Sequence, residues 1–298
     1  MTKHPHANDA YDPDKFEEEY RTSQIELQRR VFRRKQTGKS VLISLASTLV
    51  LAGLIILVLS RSSGWHVVQQ TFFSPQYFLS SLPSVALGLL TNIEILVFAA
   101  IGVAILSTLI ALARTLQSPV TFPLRFLAAS YTDLFRGIPL LLVLYLIGFG
   151  VPGLGLFGRI NPILLGTIAL IINYSAYVAE VIRAGILGVH PSQRAAARSL
   201  GLTYGQTMRL VVLPQAVRKV IPPLMNDFVA LQKDVGMVSV LGIVDAVRAA
   251  QINVALSFNF TPYVVAACLF IAMSFPVIRL TDGYANRRRR REESSGVV

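Results

Sequence analysis

Charged and amide side chains inside apolar runs are the groups of this chain that could do chemistry, because each is costly in hydrocarbon and must face a cavity or a partner. Glu94 stands within one such run. Asn173, Tyr177 and Glu180 recur at i, i+4 and i+7, a spacing that puts them on one face of a helix. Asp227 and Asp234 lie seven residues apart on one stripe, with Asn226 and Lys233 on the adjoining stripe. Lys233 with Asp234 or Asp227, and Asp133 with Arg136, are close enough in sequence to be read as structural ion pairs. Glu94, Asn173, Tyr177, Glu180, Asn226 and Asp227 are then the groups left to bind something polar.

What positions these groups follows from composition. The 298 residues are 53% hydrophobic and 15% charged, with a mean hydropathy of +0.56. The apolar residues cluster in runs too long for a soluble core, so the chain is an all-α integral membrane protein. Its net charge of +12 sits in tails and loops, where basic residues orient helices in a bilayer, and nucleic acid is not the expected partner. The single cysteine, Cys268, rules out an intrachain disulfide and any C-x-x-C metal or redox pattern. Thr37-Gly38-Lys39-Ser40 ends like a phosphate-binding loop, but that motif needs a glycine five residues before Gly38, where Arg33 stands, so the chain itself is not expected to bind ATP.

Six transmembrane helices are expected. Residues 1–40 form a polar tail with an acidic patch (Asp12, Asp14, Glu17 to Glu19) and a basic run (Arg29 to Lys35), and no cleaved signal peptide is read there. A first span covers 41–61, with no charge from Val41 to Ser60, about 20 residues being enough to cross a core of roughly 30 Å. An external loop, 62–84, carries Trp65, Phe72, Phe73, Tyr77 and Phe78, suited to the headgroup layer. The main domain, 85–281, holds spans near 85–113, 122–149 (interrupted around Asp133 to Pro139), 162–187, 217–241 and 263–280. A basic tail, 282–298, closes the chain. With both termini cytoplasmic, inner segments hold twenty-four Lys and Arg against three outside, which fixes the orientation and puts the loop 190–214 in the cytoplasm.

That loop, HPSQRAAARSLGLTYGQTMRLVVLP, reads as two short helices. Ser192 can cap the first, which runs from Gln193 to Leu200 and stops at Gly201. Thr203-x-x-Gln206 has capping-box spacing and starts the second, which leads to Leu213-Pro214. Ala195, Ala196, Ala197 and Ser199 offer small side chains for close approach, and Arg194 and Arg198 share a face.

The order of residues from Ala179 to Pro223 resembles the loop that permease subunits of bacterial ATP-binding-cassette (ABC) importers present to their ATPase, specifically the polar amino acid uptake family. Gln193, Ala196, Ala197, Leu200, Gly201, Leu213 and Pro214 match its Gln-x-Glu-Ala-Ala-x-x-Leu-Gly pattern and later Leu-Pro. Tyr131 to Leu142 is similar to the family's Leu-Phe-Arg-Gly-Thr-Pro segment, and Ala230 to Gly242 to its Lys-Asp-x-x-x-Val-Ser-Val-x-Gly segment. The resemblance runs from about Val85 to Leu280. It implies a type I importer permease fold, a translocation path among the middle spans, and a non-catalytic subunit. The implied partners are two ATPase subunits carrying the ATP and Mg, a second permease subunit, and an extracytoplasmic solute-binding protein, all at a bacterial cell membrane. Gln193, Arg194, Ala195, Ala196, Ala197, Arg198, Leu200, Gly201, Leu213 and Pro214 would form the ATPase-coupling surface.

Two departures stand out. Ala195 occupies the family's glutamate position, so coupling here rests on shape and on neighbouring residues, and the first span is additional to the family's usual five. Glu94 and Asp227 stand where uncharged residues are expected, which points to a cationic amino acid or amine. An ion-coupled secondary transporter is the alternative, but it should show paired broken helices in two repeated halves, and no clear internal repeat is present.

Overall fold

The computed structural model describes residues 24–116, 118–156 and 158–294, and the chain divides into two units, Met1–Val67 and Val68–Val298. The acidic patch of the N-terminal tail, and the side chains of Arg30, Arg33, Arg34, Lys35 and Arg287 to Arg291, lie outside the described residues.

In the first unit, helix α1 (Gln24–Arg61) is continuous over 38 residues. Residues 24–40, read as part of a tail, therefore join the first span without a break. Ser47 and Thr48 return their hydroxyls to the Ser44 carbonyl at 2.9 and 2.7 Å, which satisfies them without an external partner. Thr37 to Ser40 is helical as well, so its backbone N–H groups are not arranged as a phosphate cradle.

The second unit is an assembly of helices. Helix α2 (Trp65–Phe72) begins in the first unit, and α3 (Pro75–Thr115) follows after two residues. The expected external loop 62–84 is thus largely helical. Pro75 at the first turn starts α3 about ten residues before the apolar run, and Pro83 is carried inside it, as membrane helices allow. A 3-10 turn (Pro119–Thr121) leads to α4 (Phe122–Gly137), and α5 (Leu140–Tyr145) continues through a wider π turn (Leu146–Gly150) to Gly153. Next come α6 (Pro162–Leu187), α7 (Pro191–Ser199) and α8 (Tyr204–Thr207). A second π turn (Met208–Val212) joins α8 to α9 (Leu213–Asp234), which runs into a 3-10 stretch (Val235–Leu241). Helices α10 (Ala246–Ser257) and α11 (Thr261–Ser294) complete the chain.

Among the described residues, four helices are long and apolar enough to cross a membrane, and two bent pairs bring the total to six if each pair counts as one span. The pairs are Pro119–Gly137 with Leu140–Gly153, bent by 108°, and Tyr204–Leu241 with Ala246–Ser257, bent by 51°. The first bend falls at the expected interruption. Pro139 has no N–H to give the Phe135 carbonyl four residues back, and Asn173 of α6 supplies that donor from outside at 3.1 Å. The second bend, and α10 with it, was not expected, because its polar residues are few and read as a loop.

Helix α6 occupies the centre. Leu170 and Ala169 meet Ile95 and Ala99 of α3, Val143 and Leu144 of α5, and Val235 and Val238 beyond α9 in one buried cluster. Buried polar groups hold the second bend: Asn92 donates to Asp245 Oδ2 at 3.0 Å and to the Val235 carbonyl at 3.3 Å, and accepts from the Ala246 N–H at 3.0 Å. Asp245 in turn caps α10 by accepting from the Arg248 N–H at 2.8 Å. Neither residue stood out in the sequence, although an asparagine in an apolar run was the available signal.

Candidate functional site

Two of the central helices enclose polar groups. A cavity of about 380 Å³ is lined by Leu140 of α5, by Asn173, Tyr174 and Tyr177 of α6, by Asp227, Ala230 and Asp234 of α9, and by Met237. Tyr174 and Asp227 also line a second, more apolar space of about 230 Å³ toward Val103, Ser107 and Val178. The stripe read from the seven-residue spacing of Asp227 and Asp234 is therefore real, and both carboxylates face one cavity.

Their hydrogen bonding differs. Tyr174 donates its hydroxyl to Asp234 Oδ2 at 2.6 Å. Asp227 Oδ2 is buried and has no hydrogen-bond partner among the described residues. An unpartnered carboxylate oxygen beside a cavity is costly until a donor arrives, and of the two carboxylates Asp227 is the one with an oxygen free to accept one. Tyr174 does not stand out in the sequence, because a tyrosine in an apolar run also reads as core.

Asn173 and Tyr177 do line the cavity, but their donors are spent on backbone. Asn173 reaches the Phe135 and Ile138 carbonyls at 3.1 and 3.4 Å, and the Tyr177 hydroxyl reaches the Arg136 carbonyl at 3.0 Å. They hold the end of α4 at the proline break and so shape one wall of the cavity.

Three expected binding groups lie elsewhere. Glu180 shares the Asn173 face but lies about 10 Å further along the helix, where it pairs with Arg114 of α3 at 2.7 Å and with Arg183. Arg114 also donates to Thr132 of α4 at 2.7 Å, so this cluster ties three helices. Glu94 is exposed, because Asn92, Ile95, Leu96 and Ala99 form the buried stripe of α3 and leave position 94 on the outer face. Asn226 is likewise exposed, one helical step away from Asp227.

Neither expected ion pair forms. Lys233 is exposed and absent from the salt bridges of the described residues, while Asp234 turns inward to Tyr174. Asp133 and Arg136 make no salt bridge with each other, and the Arg136 guanidinium instead lies 6.0 Å above the Tyr177 ring. Sequence proximity permits such pairs, but Asp234 turns to the Tyr174 hydroxyl and Arg136 to the Tyr177 ring.

The polar loop keeps its two-helix plan with altered ends. His190, not Ser192, caps α7: its Nδ1 accepts from the Ser192 N–H at 3.2 Å, with Pro191 at the first helical position. Gly201 has φ +79°. Its N–H bonds the Arg198 carbonyl at 2.9 Å and the Leu202 N–H bonds the Ala197 carbonyl at 3.2 Å, a complete Schellman stop. The capping box of Thr203 and Gln206 is present in both directions. The second helix does not end at Leu213-Pro214, because the π turn Met208–Val212 absorbs the proline and α9 continues.

Ala197 is the buried residue of α7, packed toward the interior, and is not part of the presented surface. Gln193, Ala195, Ala196, Arg198 and Ser199 are exposed, and Leu200 stands 82% exposed at the tip. Arg194 turns inward to the Ile186 carbonyl, away from Arg198. Leu213 and Pro214 are part of the following helix, with Leu213 against the buried cluster of Ile186, Val189, Val212 and Ala216.

A helical membrane domain with a polar-lined cavity between its central helices, and a rigidly capped polar loop at one end, defines a solute permease. Residues 120–290 match the family described as binding-protein-dependent transport system inner membrane component. The chain belongs to this family, and it is a multi-pass permease subunit of an ABC importer. A probable glutamine ABC transporter permease protein of Bacillus subtilis is 37% identical over 182 residues, covering 61% of this chain and 82% of that one. An arginine transport system permease protein of the same organism is 34% identical over 197 residues, covering 65% and 88%. The crystal structure of an amino acid ABC transporter with histidines superposes with a TM-score of 0.65 at 36% identity, over 70% of this chain and 96% of that one. A methionine ABC transporter in an inward-facing conformation shares the fold, at TM-score 0.57 and 15% identity, over 68% and 95%.

Proposed function

We propose that this subunit carries polar amino acids, with a preference for a cationic side chain, and that the cavity between α6 and α9 lies on their path. The observation that carries this is Asp227: a buried carboxylate oxygen without a partner, beside a cavity that Asp234 also lines. Two carboxylates in a low-dielectric wall favour a cation over a neutral amide. The named cargo of the relatives, glutamine and arginine, differs in this respect. Glu94, exposed on α3, does not line this cavity.

The loop 190–214 faces the cytoplasm by the lysine and arginine bias, and the exposed face of α7 with Leu200 is the surface that an ATPase subunit grips. Two ATPase subunits supply ATP and Mg, a second permease subunit completes the pathway, and a solute-binding protein delivers cargo from outside. Closure of the ATPases draws the two loops together and rocks the spans. The chain makes and breaks no bond itself.

Competing uptake of labelled arginine and glutamine tests the cargo. Asp227→Asn is expected to lower the efficiency of arginine uptake about tenfold or more relative to glutamine, while Glu94→Gln leaves the ratio where it was. An unchanged ratio in Asp227→Asn would overturn the cationic preference.

A further inference from the structure

Helix α6 ends at Leu187, and its last carbonyls point at the junction with α7. Such carbonyls carry a partial negative charge and lack intrahelical donors. Two cations from different elements converge on them. Arg194, on α7, donates from its guanidinium to the Ile186 carbonyl, and Lys219, on α9, donates to the Gly188 carbonyl at 2.6 Å. Beneath them Gly185 lets α9 approach so closely that an added Cβ would lie 2.1 Å from Val220 Cγ1.

We infer that Arg194 and Lys219 are positioning residues that clamp the α7 loop to α6 and α9, so that a push on α7 moves both walls of the cavity. On its other side α7 packs against the turn Met208–Val212 that leads into α9, so the bond to be supplied is the one to α6. Ala197 is its buried residue, and only Gly188, Val189 and His190 link it to α6. Without the arginine that three-residue link is a hinge, and α7 can swing while α6 stays still. With it, displacement of α7 is carried to the helix bearing Asn173 and Tyr174. Displacement is carried through Lys219 to the helix bearing Asp227 and Asp234. Arg194 was read from the sequence as part of the surface offered to the ATPase, but it faces inward, and its Nε is buried without a partner, which fits a side chain held for its one bond to α6.

This inference rests on the reading of α7 as the ATPase grip, and the experiment separates the two. The complete transporter, with its ATPase subunits and binding protein, is purified through this chain and placed in proteoliposomes. ATPase co-purification and labelled amino acid taken up per ATP hydrolysed are then measured. Arg194→Ala and Lys219→Ala are each expected to keep the ATPase in the complex while uptake per ATP falls about tenfold. Arg194→Lys, which retains a charged donor, is expected to recover at least half of the coupling. Wild-type coupling in Arg194→Ala overturns the clamp. Loss of the ATPase from Arg194→Ala, with the Lys219→Ala complex intact, overturns it too, since Arg194 would then be a contact residue. Failure of the underlying reading shows differently, as retention of the ATPase when Gly201 is replaced by Asp.

Discussion

Gly201→Asp is expected to strip the ATPase from the complex while leaving the spans inserted. Gly201 holds φ +79°, where a residue with a Cβ is strained by roughly 1–2 kcal/mol. A carboxylate there also sits against the negative end of α7. Nothing lies within 4 Å of the added Cβ, so the damage is conformational and confined to the loop. Once the Schellman bonds from Gly201 and Leu202 are lost, Leu200 and Arg198 no longer stand at a fixed place relative to α8. A protruding leucine that wanders cannot fill a pocket in a partner. Because Ala195 replaces the glutamate of the family's motif, less charge remains to compensate, and retention of the ATPase is expected to fall at least about tenfold. Co-purification in detergent reads this directly, alongside membrane insertion as the control.

Gly88→Val is expected to be the most damaging single change in the membrane domain. An added Cβ at position 88 would sit 2.4 to 2.6 Å from the backbone of Asp245 and Ala246. Backbone cannot rotate away as a side-chain tip can, so α10 must move off α3. The movement breaks the set of bonds that Asn92 makes to Asp245, Val235 and Ala246, and leaves an amide and a carboxylate buried without partners. The combined overpacking and desolvation cost is about 3 kcal/mol or more. Thermal unfolding in detergent should drop clearly below wild type. A midpoint within about 2 °C of it would mean that the junction is not tight.

Much of this was legible from the residues in order. Six apolar runs, the proline break near Pro139, the glycine stop at Gly201 and the Thr203–Gln206 box are local features, set by backbone chemistry within a few positions. The shared stripe of Asp227 and Asp234 follows from helical period alone. What the period does not give is which stripe turns inward. Glu94 and Asn226 fell on outer faces for that reason, and Arg194 turned toward α6 when a surface role was expected. Bonds across long separations were equally hidden. Asn92 meets Asp245 across 153 positions, and Arg114 meets Glu180 across 66. Lys233 and Asp234 show the reverse error: neighbours in sequence point to different surroundings on a helix.

The most direct test is uptake of labelled amino acid into proteoliposomes containing this chain, its permease partner and the binding protein, with and without the ATPase subunits and ATP. The expected result is accumulation only when ATPase and ATP are both present, and none under an ion gradient alone. Uptake driven by an ion gradient in the absence of the ATPase would contradict an ATP-driven importer and return the chain to the ion-coupled alternative.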